Sequence, residues 1–168
     1  MGKVTAPSPP ELLAEHHNIQ GFNCGEASLD NWLARRAWAN QASGATRTYV
    51  ICDKSRVIAY YALAAGVIAV QAAPGRFRRN MPDPIPVTVL ARLAVAVKWQ
   101  GLAIARAVLR DAASRVSNAA EVIGIRGMIV HAISEDARRF YLALGFISSP
   151  LDPRTLVITL GDIRRLGL

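Results

Sequence analysis

The chain has 168 residues, of which 52% are hydrophobic and 19% charged, with a net charge of +8 at neutral pH. This length and composition fit one domain with a sizeable apolar core, so we expect residues 1–168 to form a single domain. No apolar run is long and pure enough for a membrane span, and the first residues lack a hydrophobic signal core, which together indicate a protein of the reducing cytoplasm.

The basic charge is concentrated in the second part of the chain. Residues 1–71 carry six Lys and Arg against five Asp and Glu, whereas residues 72–168 carry fourteen against seven. Such an excess favours a polyanionic partner, either nucleic acid or an acidic protein. A solvated, arginine-rich surface explains the same count.

The cysteines and histidines do not follow the spacing of a metal site. Cys24 and Cys52 are far apart, and His16, His17 and His131 form no pattern with them. We therefore expect no metal ligands; we interpret both thiols as buried or incidental and all three imidazoles as structural.

The first half of the chain predicts a helix followed by a hairpin. Apolar residues at spacings of three and four indicate the helix, and β-branched runs on either side of a polar turn indicate the hairpin. A proline-rich segment then forces an extended loop before the next strand. The predicted elements are a short strand within residues 11–22, a helix over residues 30–42, strands over residues 46–53 and 57–70, and a loop containing residues 76–79.

Residues 87–113 predict a strand, a tight turn and a helix. The run 87–97 is apolar and β-branched, residues 98–101 are a polar break, and apolar residues recur at helical spacing afterwards. The first N–H groups of a helix lack intrahelical acceptors and lie at the positive end of its dipole, so this junction is suited to an anion such as phosphate. A helix that uses small residues only for packing fits the same pattern.

The last third of the chain alternates strands with one helix. Ser134 followed by two acidic residues predicts an N-cap, and Gly145 predicts a left-handed C-cap. The run 124–133 is apolar on both faces, which indicates an internal strand. The predicted elements are a turn at Ser117-Asn118, a strand over residues 124–133, a helix over residues 135–144 and strands over residues 146–149 and 155–160.

Two motifs in this part of the chain resemble those of GNAT acetyltransferases. The first is Leu93-Ala94-Val95 followed by Gln100-Gly101-Leu102-Ala103-Ile104-Ala105, which resembles the acetyl-CoA loop after the fourth strand of that family. The second is the segment Ser134–Phe146, which looks like a closing helix that ends in Phe-Tyr-x-x-x-Gly-Phe. The resemblance implies a mixed α/β sheet of the GNAT type whose central strands splay apart between Val95 and Val130 to admit the pantetheine arm.

The same resemblance implies the residues that bind acetyl-CoA and the residue that assists the chemistry. In the family the tyrosine of the closing helix approaches the thioester sulfur, and that residue is Tyr141 here. We expect its neighbour Phe140 to be the better packing residue, because a helix places the two about 100° apart. The implied cofactor-binding residues are Leu93, Ala94, Val95, Gln100, Gly101, Leu102, Ala103, Ile104, Ala105, Arg106, Ser134, Ala137 and Phe140.

Ala103 stands where the family usually has glycine. We expect a helical backbone at this position, which does not require glycine. The extra methyl group is predicted to narrow the approach of the pyrophosphate. An Ala103→Gly variant should therefore bind acetyl-CoA more tightly than the natural chain.

A narrower resemblance covers nearly the whole chain. The segments Phe22–Leu33, Arg47–Val50, Tyr60–Leu63 and Leu90–Val95 are similar to blocks of the GNAT toxins of type II toxin–antitoxin modules. That family acetylates the α-amino group of aminoacyl-tRNA, stops translation and is neutralised by a ribbon-helix-helix antitoxin. The resemblance also implies a homodimer. Two alternatives remain: a GNAT enzyme for a small amine or a protein N-terminus, and a degenerate domain that only binds an antitoxin.

The predicted chemistry needs a proton donor more than a base. An α-amino group has a reference pKa near ~8, so part of it is neutral at physiological pH, and the adjacent ester lowers that pKa further. A phenol such as Tyr141 can give a proton to the leaving thiolate. The central strand carries Arg92 and no acid, so no carboxylate base is expected there.

Arginines are the predicted contacts for nucleic acid. Trp32 and Trp38 are expected in the core, whereas Trp99, next to the acetyl-CoA loop, fits either packing or base stacking. The nucleic-acid candidates are Arg76, Arg78 and Arg79 on a loop beside the sheet ends, followed by Arg35, Arg36 and Arg92.

Overall fold

The computed structural model describes residues 6–101 and 103–165 and confirms a mixed α/β architecture. One seven-stranded sheet has the order β1-β2-β3-β4-β5-β7-β6. Its strands are β1 (Glu11–Leu12), β2 (Arg47–Asp53), β3 (Arg56–Ile68), β4 (Ile85–Val95), β5 (Gly127–His131), β6 (Ile147–Ser148) and β7 (Thr155–Thr159). The helices are α1 (Ala27–Arg35), α2 (Ala37–Ser43), α3 (Gly75–Arg78), α4 (Ile104–Ala119), α5 (Glu135–Ala143) and α6 (Leu160–Arg165).

Parallel and antiparallel pairs are combined in this sheet. Strands β1, β2 and β3 pair antiparallel, and Lys54 takes a left-handed φ of 57° in the tight turn between β2 and β3. Strands β4 and β5 pair parallel through Thr88–Leu90 and Met128–Val130. Strand β7 pairs antiparallel with both β5 and β6. The internal position predicted for β5 is therefore confirmed.

The backbone divides into two compact units. One contains the chain up to Leu63 together with Arg92–Asp111, and the other contains Ala64–Ala91 together with the chain from Ala112 onward. Strands β3 and β4 and helix α4 contribute residues to both units, so neither unit is one continuous segment. The single domain expected from length stays a prediction.

Aromatic packing fixes helix α1 on strand β3 in the first unit. The indole ring of Trp32 stacks on the ring of Tyr60, with centroids 5.9 Å apart and planes 5° from parallel. The Tyr60 hydroxyl donates a 2.6 Å hydrogen bond to the carbonyl of Leu29. Trp32 is thus a core residue, as predicted, whereas Trp38 on α2 remains 38% exposed and the prediction for it is wrong.

The core of the second unit surrounds the short helix α3. Phe77 is 1% exposed and packs in one cluster with Ile85, Val87, Ile129 and Val157. The extended loop predicted for residues 76–79 is therefore wrong, because burial of the Phe77 ring stabilises one helical turn, Gly75–Arg78. Arg76 and Arg78 extend from that turn.

Several predicted boundaries also differ from the structure. The helix predicted over residues 30–42 begins at Ala27 and is broken at Arg36, whose φ of −117° and ψ of −31° separate α1 from α2. Leu33, before the break, and Ala37, after it, are both buried. Helix α4 runs through Ser117 and Asn118, where a turn was expected, and the strand predicted to Leu160 ends at Thr159, where α6 follows.

Within residues 6–101 and 103–165, none of the helices combines the length and the apolar character needed to cross a bilayer.

Candidate functional site

The turn between β4 and α4, in the first unit, has the geometry of an anion site. The backbone hydrogen bond at the start of helix α4 runs from the N–H of Ala107 to the carbonyl of Ala103, at 3.2 Å. The N–H groups of Ile104, Ala105 and Arg106 precede that bond, so they have no acceptor within the helix. Together with the helix dipole they favour a phosphate group.

Two left-handed residues shape this turn. Gly101 has a φ of 78° and Ala103 a φ of 62°. The helical backbone expected at Ala103 is therefore wrong: the residue precedes the helix, and its conformation costs an L-residue about 1–2 kcal/mol. A Cβ atom added to Gly101 would meet nothing within 4 Å, so the backbone there is open to a ligand. The predicted residue Leu102 lies outside the described residues.

Side-chain and backbone hydrogen bonds hold the start of the turn. The Gln100 side-chain amide donates to the carbonyls of Cys24, at 2.8 Å, and Val95, at 2.9 Å. The N–H of Val97 donates to Asn23 and that of Ala96 to Ile58, each at 2.8 Å. The amide of Gln100 is thus committed to the protein, and the turn offers a ligand mainly backbone groups.

Helix α5, in the second unit, has the caps predicted from the sequence. The Ser134 hydroxyl accepts a hydrogen bond from the N–H of Ala137 at 3.1 Å, and Gly145 takes a φ of 101°. Glu135 and Asp136 occupy the first turn, where the helix dipole favours negative charge. The local sequence therefore sets both ends of the helix that carries Tyr141.

Tyr141 is the inward-facing aromatic residue of α5. The residue is 6% exposed, and its ring packs edge to face on Phe140 and Phe146, each with centroids 5.2 Å apart. The expectation that Phe140 is the better packing residue is wrong, because Phe140 is only half-buried. Burial raises the pKa of Tyr141 well above its usual range, so the phenol keeps its proton. The hydroxyl forms no hydrogen bond with other described residues.

The three arginines around α3 differ in their partners. Arg76 forms a 2.7 Å ion pair with Asp162, whereas Arg78 and Arg79 are exposed and have no ion-pair partner in the described part of the chain. Arg76 also lines a groove of about 520 Å³ with Arg126 and Arg165. Sequence reasoning missed those last two cations, because each is isolated along the chain and only folding brings them to Arg76.

The second-choice arginines lie in the first unit. Arg35 and Arg36 are exposed at the junction of α1 and α2. The Arg92 guanidinium lies over the Trp32 ring, 5.2 Å from its centroid, and its side chain is half-buried. Arg92 therefore packs on an aromatic ring, whereas the side chains of Arg35 and Arg36 are exposed.

Two of the histidines lie in one small cluster with an acidic residue, contrary to the sequence pattern. Potential ligand atoms of Glu11, His16 and His17 lie within 4.8 Å of one another. The N–H of Ala14 donates to Nδ1 of His17 at 2.8 Å, so the ring proton resides on Nε2, which bonds to Glu11 at 2.6 Å. Neither ring nitrogen then has a free lone pair, and the cluster does not suit a metal ion.

Known proteins resemble this chain over nearly its whole length, although no family model matches it. A tRNA-acetylating toxin of Mycobacterium tuberculosis is 45% identical over 159 residues, which cover 95% of this chain and 96% of that protein. A tyrosine-to-phenylalanine variant of KacT has a TM-score of 0.89 at 26% identity, covering 96% of this chain and 99% of the other. AtaT complexed with acetyl-methionyl-tRNAfMet has a TM-score of 0.88 at 27% identity, covering 97% and 100%. Other AtaT structures contain acetyl-CoA or the antitoxin AtaR.

Proposed function

Because this chain belongs to the family of GNAT-type tRNA-acetylating toxins, we propose that it transfers the acetyl group of acetyl-CoA to the α-amino group of aminoacyl-tRNA. The product can no longer take part in peptide-bond formation through that amine, so translation stops. The observation that carries the proposal is 45% identity to a tRNA-acetylating toxin along 95% of the chain. The acetyl-methionyl-tRNA bound to AtaT supports the same reaction.

Acetyl-CoA is held chiefly by main-chain groups in this proposal. The amides of Gly101 and Ala103–Arg106 take the pyrophosphate, since the turn is open and the first amides of α4 lack helical acceptors. The backbone of Leu93–Val95 pairs with the pantetheine arm. Ser134, Ala137 and Phe140 contribute one side of α5 to the same arm.

Tyr141 is the proposed proton donor. Acetyl-CoA supplies the acetyl group as a thioester, and the sulfur gains a proton when the carbon–sulfur bond breaks. The raised pKa of Tyr141 keeps its hydroxyl protonated, and the hydroxyl has no partner among the described residues that would compete for it. The nitrogen loses one proton as the amide forms, so the overall reaction needs no net proton uptake.

The amine itself needs little activation. A free α-amino group has a pKa near ~8, whereas a lysine side chain has a pKa of roughly 10.4, so a much larger fraction of the α-amine is neutral at physiological pH. Binding both reactants in a productive orientation supplies most of the remaining acceleration. A carboxylate base is therefore not part of the proposal.

The basic second half of the chain supports contact with RNA. Arg78 and Arg79 are the best candidates for phosphate contacts, because both are exposed and lack ion-pair partners among the described residues. Arg76 can make a further phosphate contact if the phosphate replaces Asp162 as the partner of its guanidinium group. Arg35 and Arg36 are the proposed contacts on the first unit, and Arg92 supports the site through its packing on Trp32.

The proposed partner is an antitoxin of the ribbon-helix-helix class. The antitoxin AtaR bound to AtaT and the KacTA–DNA complex support a DNA-binding antitoxin for proteins of this kind. We also propose that the chain forms a homodimer and acts in the cytoplasm, where its aminoacyl-tRNA substrate is found. Light scattering on the purified chain tests the dimer.

A radiolabelled transfer assay tests the function. Purified protein is incubated with labelled acetyl-CoA and total aminoacyl-tRNA, and uncharged tRNA serves as the control. We expect label in the charged tRNA only. Label in polyamines or peptide N-termini, with none in charged tRNA, would favour the alternative of a different amine substrate. A degenerate binding domain would show no transfer and no stabilisation by acetyl-CoA in a thermal shift assay.

A further inference from the structure

A second pocket in the first unit has no role in the mechanism above. It has a volume of about 220 Å³ and is formed by the segment Gln20–Asn23, the start of β3 at Arg56–Ile58 and the turn Ala96–Trp99. None of its lining residues is acidic. Two of them, Arg56 and Lys98, are cationic, and two, Phe22 and Trp99, are aromatic.

The cations of this pocket are available to a ligand. Both Arg56 and Lys98 are exposed, and neither side chain has a hydrogen bond or ion pair with another residue in the described ranges. They differ in this respect from Arg76, which Asp162 already neutralises. Two unpaired positive charges beside one small cavity favour an anionic ligand.

The backbone beside both aromatic residues of the pocket is held by hydrogen bonds or ring packing. Trp99 is half-buried, and its backbone N–H donates to the carbonyl of Ala96 at 2.8 Å. The neighbouring residue Val97 is bonded to Asn23, and Phe22 packs edge to face on Tyr60, with centroids 5.5 Å apart. A ligand that stacks here would therefore order little of the protein, which lowers the entropic cost of binding.

The size of the pocket selects a small planar group. Sites for drug-sized ligands typically enclose about 300–1,000 Å³, and this pocket lies below that range, so it cannot enclose a whole coenzyme. Single-stranded RNA is recognised by stacking its bases on aromatic side chains while cations contact the flanking phosphates. The acceptor end of a tRNA is single-stranded and offers such bases.

We propose that this pocket binds one unpaired nucleobase of the tRNA substrate, stacked against Trp99, with the flanking phosphates on Arg56 and Lys98. The inference rests on the proposed function, because it takes the RNA to be the tRNA that the enzyme acetylates. It adds a base-binding subsite to the arginine contacts proposed above.

Binding of aminoacyl-tRNA by the full chain tests this subsite. Trp99→Ala should weaken binding about five- to 150-fold, the range that corresponds to removal of a stacking aromatic residue. Trp99→Phe, which keeps a stacking ring, should stay within about threefold of the natural chain. Trp38→Ala, on α2 and outside the pocket, is the matched control and should bind normally. Arg56→Gln and Lys98→Gln should each reduce the salt dependence of binding by about 0.7 in a plot of log K against log salt.

Acetyl-CoA affinity, measured by calorimetry on the same variants, separates the two possible ligands. We expect it to be unchanged in Trp99→Ala, Arg56→Gln and Lys98→Gln. Unchanged tRNA affinity in these variants would overturn the subsite, and so would a parallel loss of acetyl-CoA affinity, because the pocket would then serve the coenzyme. A natural chain that fails to acetylate aminoacyl-tRNA refutes the proposed function instead, and the transfer assay detects that separately.

Discussion

The ring of Tyr141 packs edge to face on Phe146, with ring centroids 5.2 Å apart and planes inclined by 62°. Both residues belong to the second unit, and Phe146 follows directly after the glycine that ends α5. The position of the phenol is therefore set by ring packing rather than by a hydrogen bond of its hydroxyl to other described residues. The hydroxyl group of Tyr141 can therefore be removed without losing the ring contacts that hold the side chain in place.

A Tyr141→Phe variant should fold normally and lose most acetyl transfer. The phenylalanine ring keeps the contacts with Phe140 and Phe146, whereas the donor to the leaving sulfur is removed. Loss of one positioned proton donor typically costs about 10²–10⁴-fold in rate. Single-turnover transfer to aminoacyl-tRNA measures the loss, and thermal unfolding checks the fold. Turnover near that of the natural chain would assign the proton to water or to another group.

The pH dependence of acetyl transfer should show an ascending limb only. The rate rises as the α-amine of the substrate loses its proton, with a midpoint at or below ~8 because the ester lowers the amine pKa. Burial raises the pKa of Tyr141, so the donor stays protonated and causes no descending limb up to about pH 9.5. Initial rates, corrected for ester hydrolysis, test this. A descending limb below pH 9 would point to a donor more acidic than Tyr141.

An Ala103→Gly variant should be more stable than the natural chain. Ala103 has a φ of 62°, which costs an L-residue about 1–2 kcal/mol, whereas glycine adopts it without strain. The greater flexibility of glycine in the unfolded chain offsets part of that gain, so we expect up to about 1 kcal/mol. Ala105→Gly, in the first turn of α4, is the matched control and should lose stability by up to about 1 kcal/mol. Urea denaturation measures both, and destabilisation of both to the same extent would contradict the prediction.

The same variant should bind acetyl-CoA more tightly. Removing the Ala103 methyl group widens the approach of the pyrophosphate to the amides at the start of α4, as expected from the sequence. Calorimetry with acetyl-CoA compares the two forms directly. Equal affinity would show that the methyl group does not limit the approach.

Neither cysteine should react with a thiol reagent while the protein is folded. Burial raises the pKa of both Cys24 and Cys52 to about 11, so only about one thiol in a thousand is ionised at pH 8. Titration with a chromogenic disulfide should detect no thiol in the native protein and both cysteines in urea. Rapid reaction of a native thiol would contradict the burial of Cys24 and Cys52.

An Arg79→Gln variant should weaken tRNA binding in a salt-dependent manner. Arg79 is exposed and unpaired among the described residues, so a phosphate contact is lost without breaking an ion pair. The slope of log K against log salt should fall by about 1. Arg164→Gln removes the same charge from an arginine 3.5 Å from Glu121 and should change the slope less. Equal slopes for both variants would indicate a general charge effect.

The elements predicted most accurately are those whose signals are local. Ser134 and Gly145 bound α5 because a hydroxyl at the N-cap and a left-handed glycine at the end act within one turn of chain. Strands β2 and β5 follow from runs of apolar residues. Sequence patterns predict an element accurately where interactions within a few residues of chain determine its position and its ends.

The incorrect predictions concern elements whose structure depends on tertiary packing. Nothing in the sequence marks a helix break at Arg36, yet the helix is interrupted there between the buried residues Leu33 and Ala37. Phe77 turns a proline-flanked loop into a helical turn by entering the core. Whether Tyr141 or Phe140 is buried depends on which side of α5 faces the core. Helical spacing alone does not determine that side.

The candidate site was only partly predictable for a related reason. The motif identifies the turn and the start of α4, because these residues are consecutive in the chain. The left-handed backbone of Ala103 and the cations Arg56, Arg126 and Arg165 are not marked by any pattern. Their grouping depends on folding of segments that are distant in sequence.

Gln100 illustrates how strongly the turn proposed to bind phosphate depends on a distant part of the chain. Its amide bonds to the carbonyl of Cys24, 76 positions earlier, and to Val95. A peptide that spans residues 87–113 would contain every residue of the strand–turn–helix motif but lack one of the two anchors of its turn. Coenzyme affinity should therefore appear only as a late event in refolding, after the amino-terminal segment has docked.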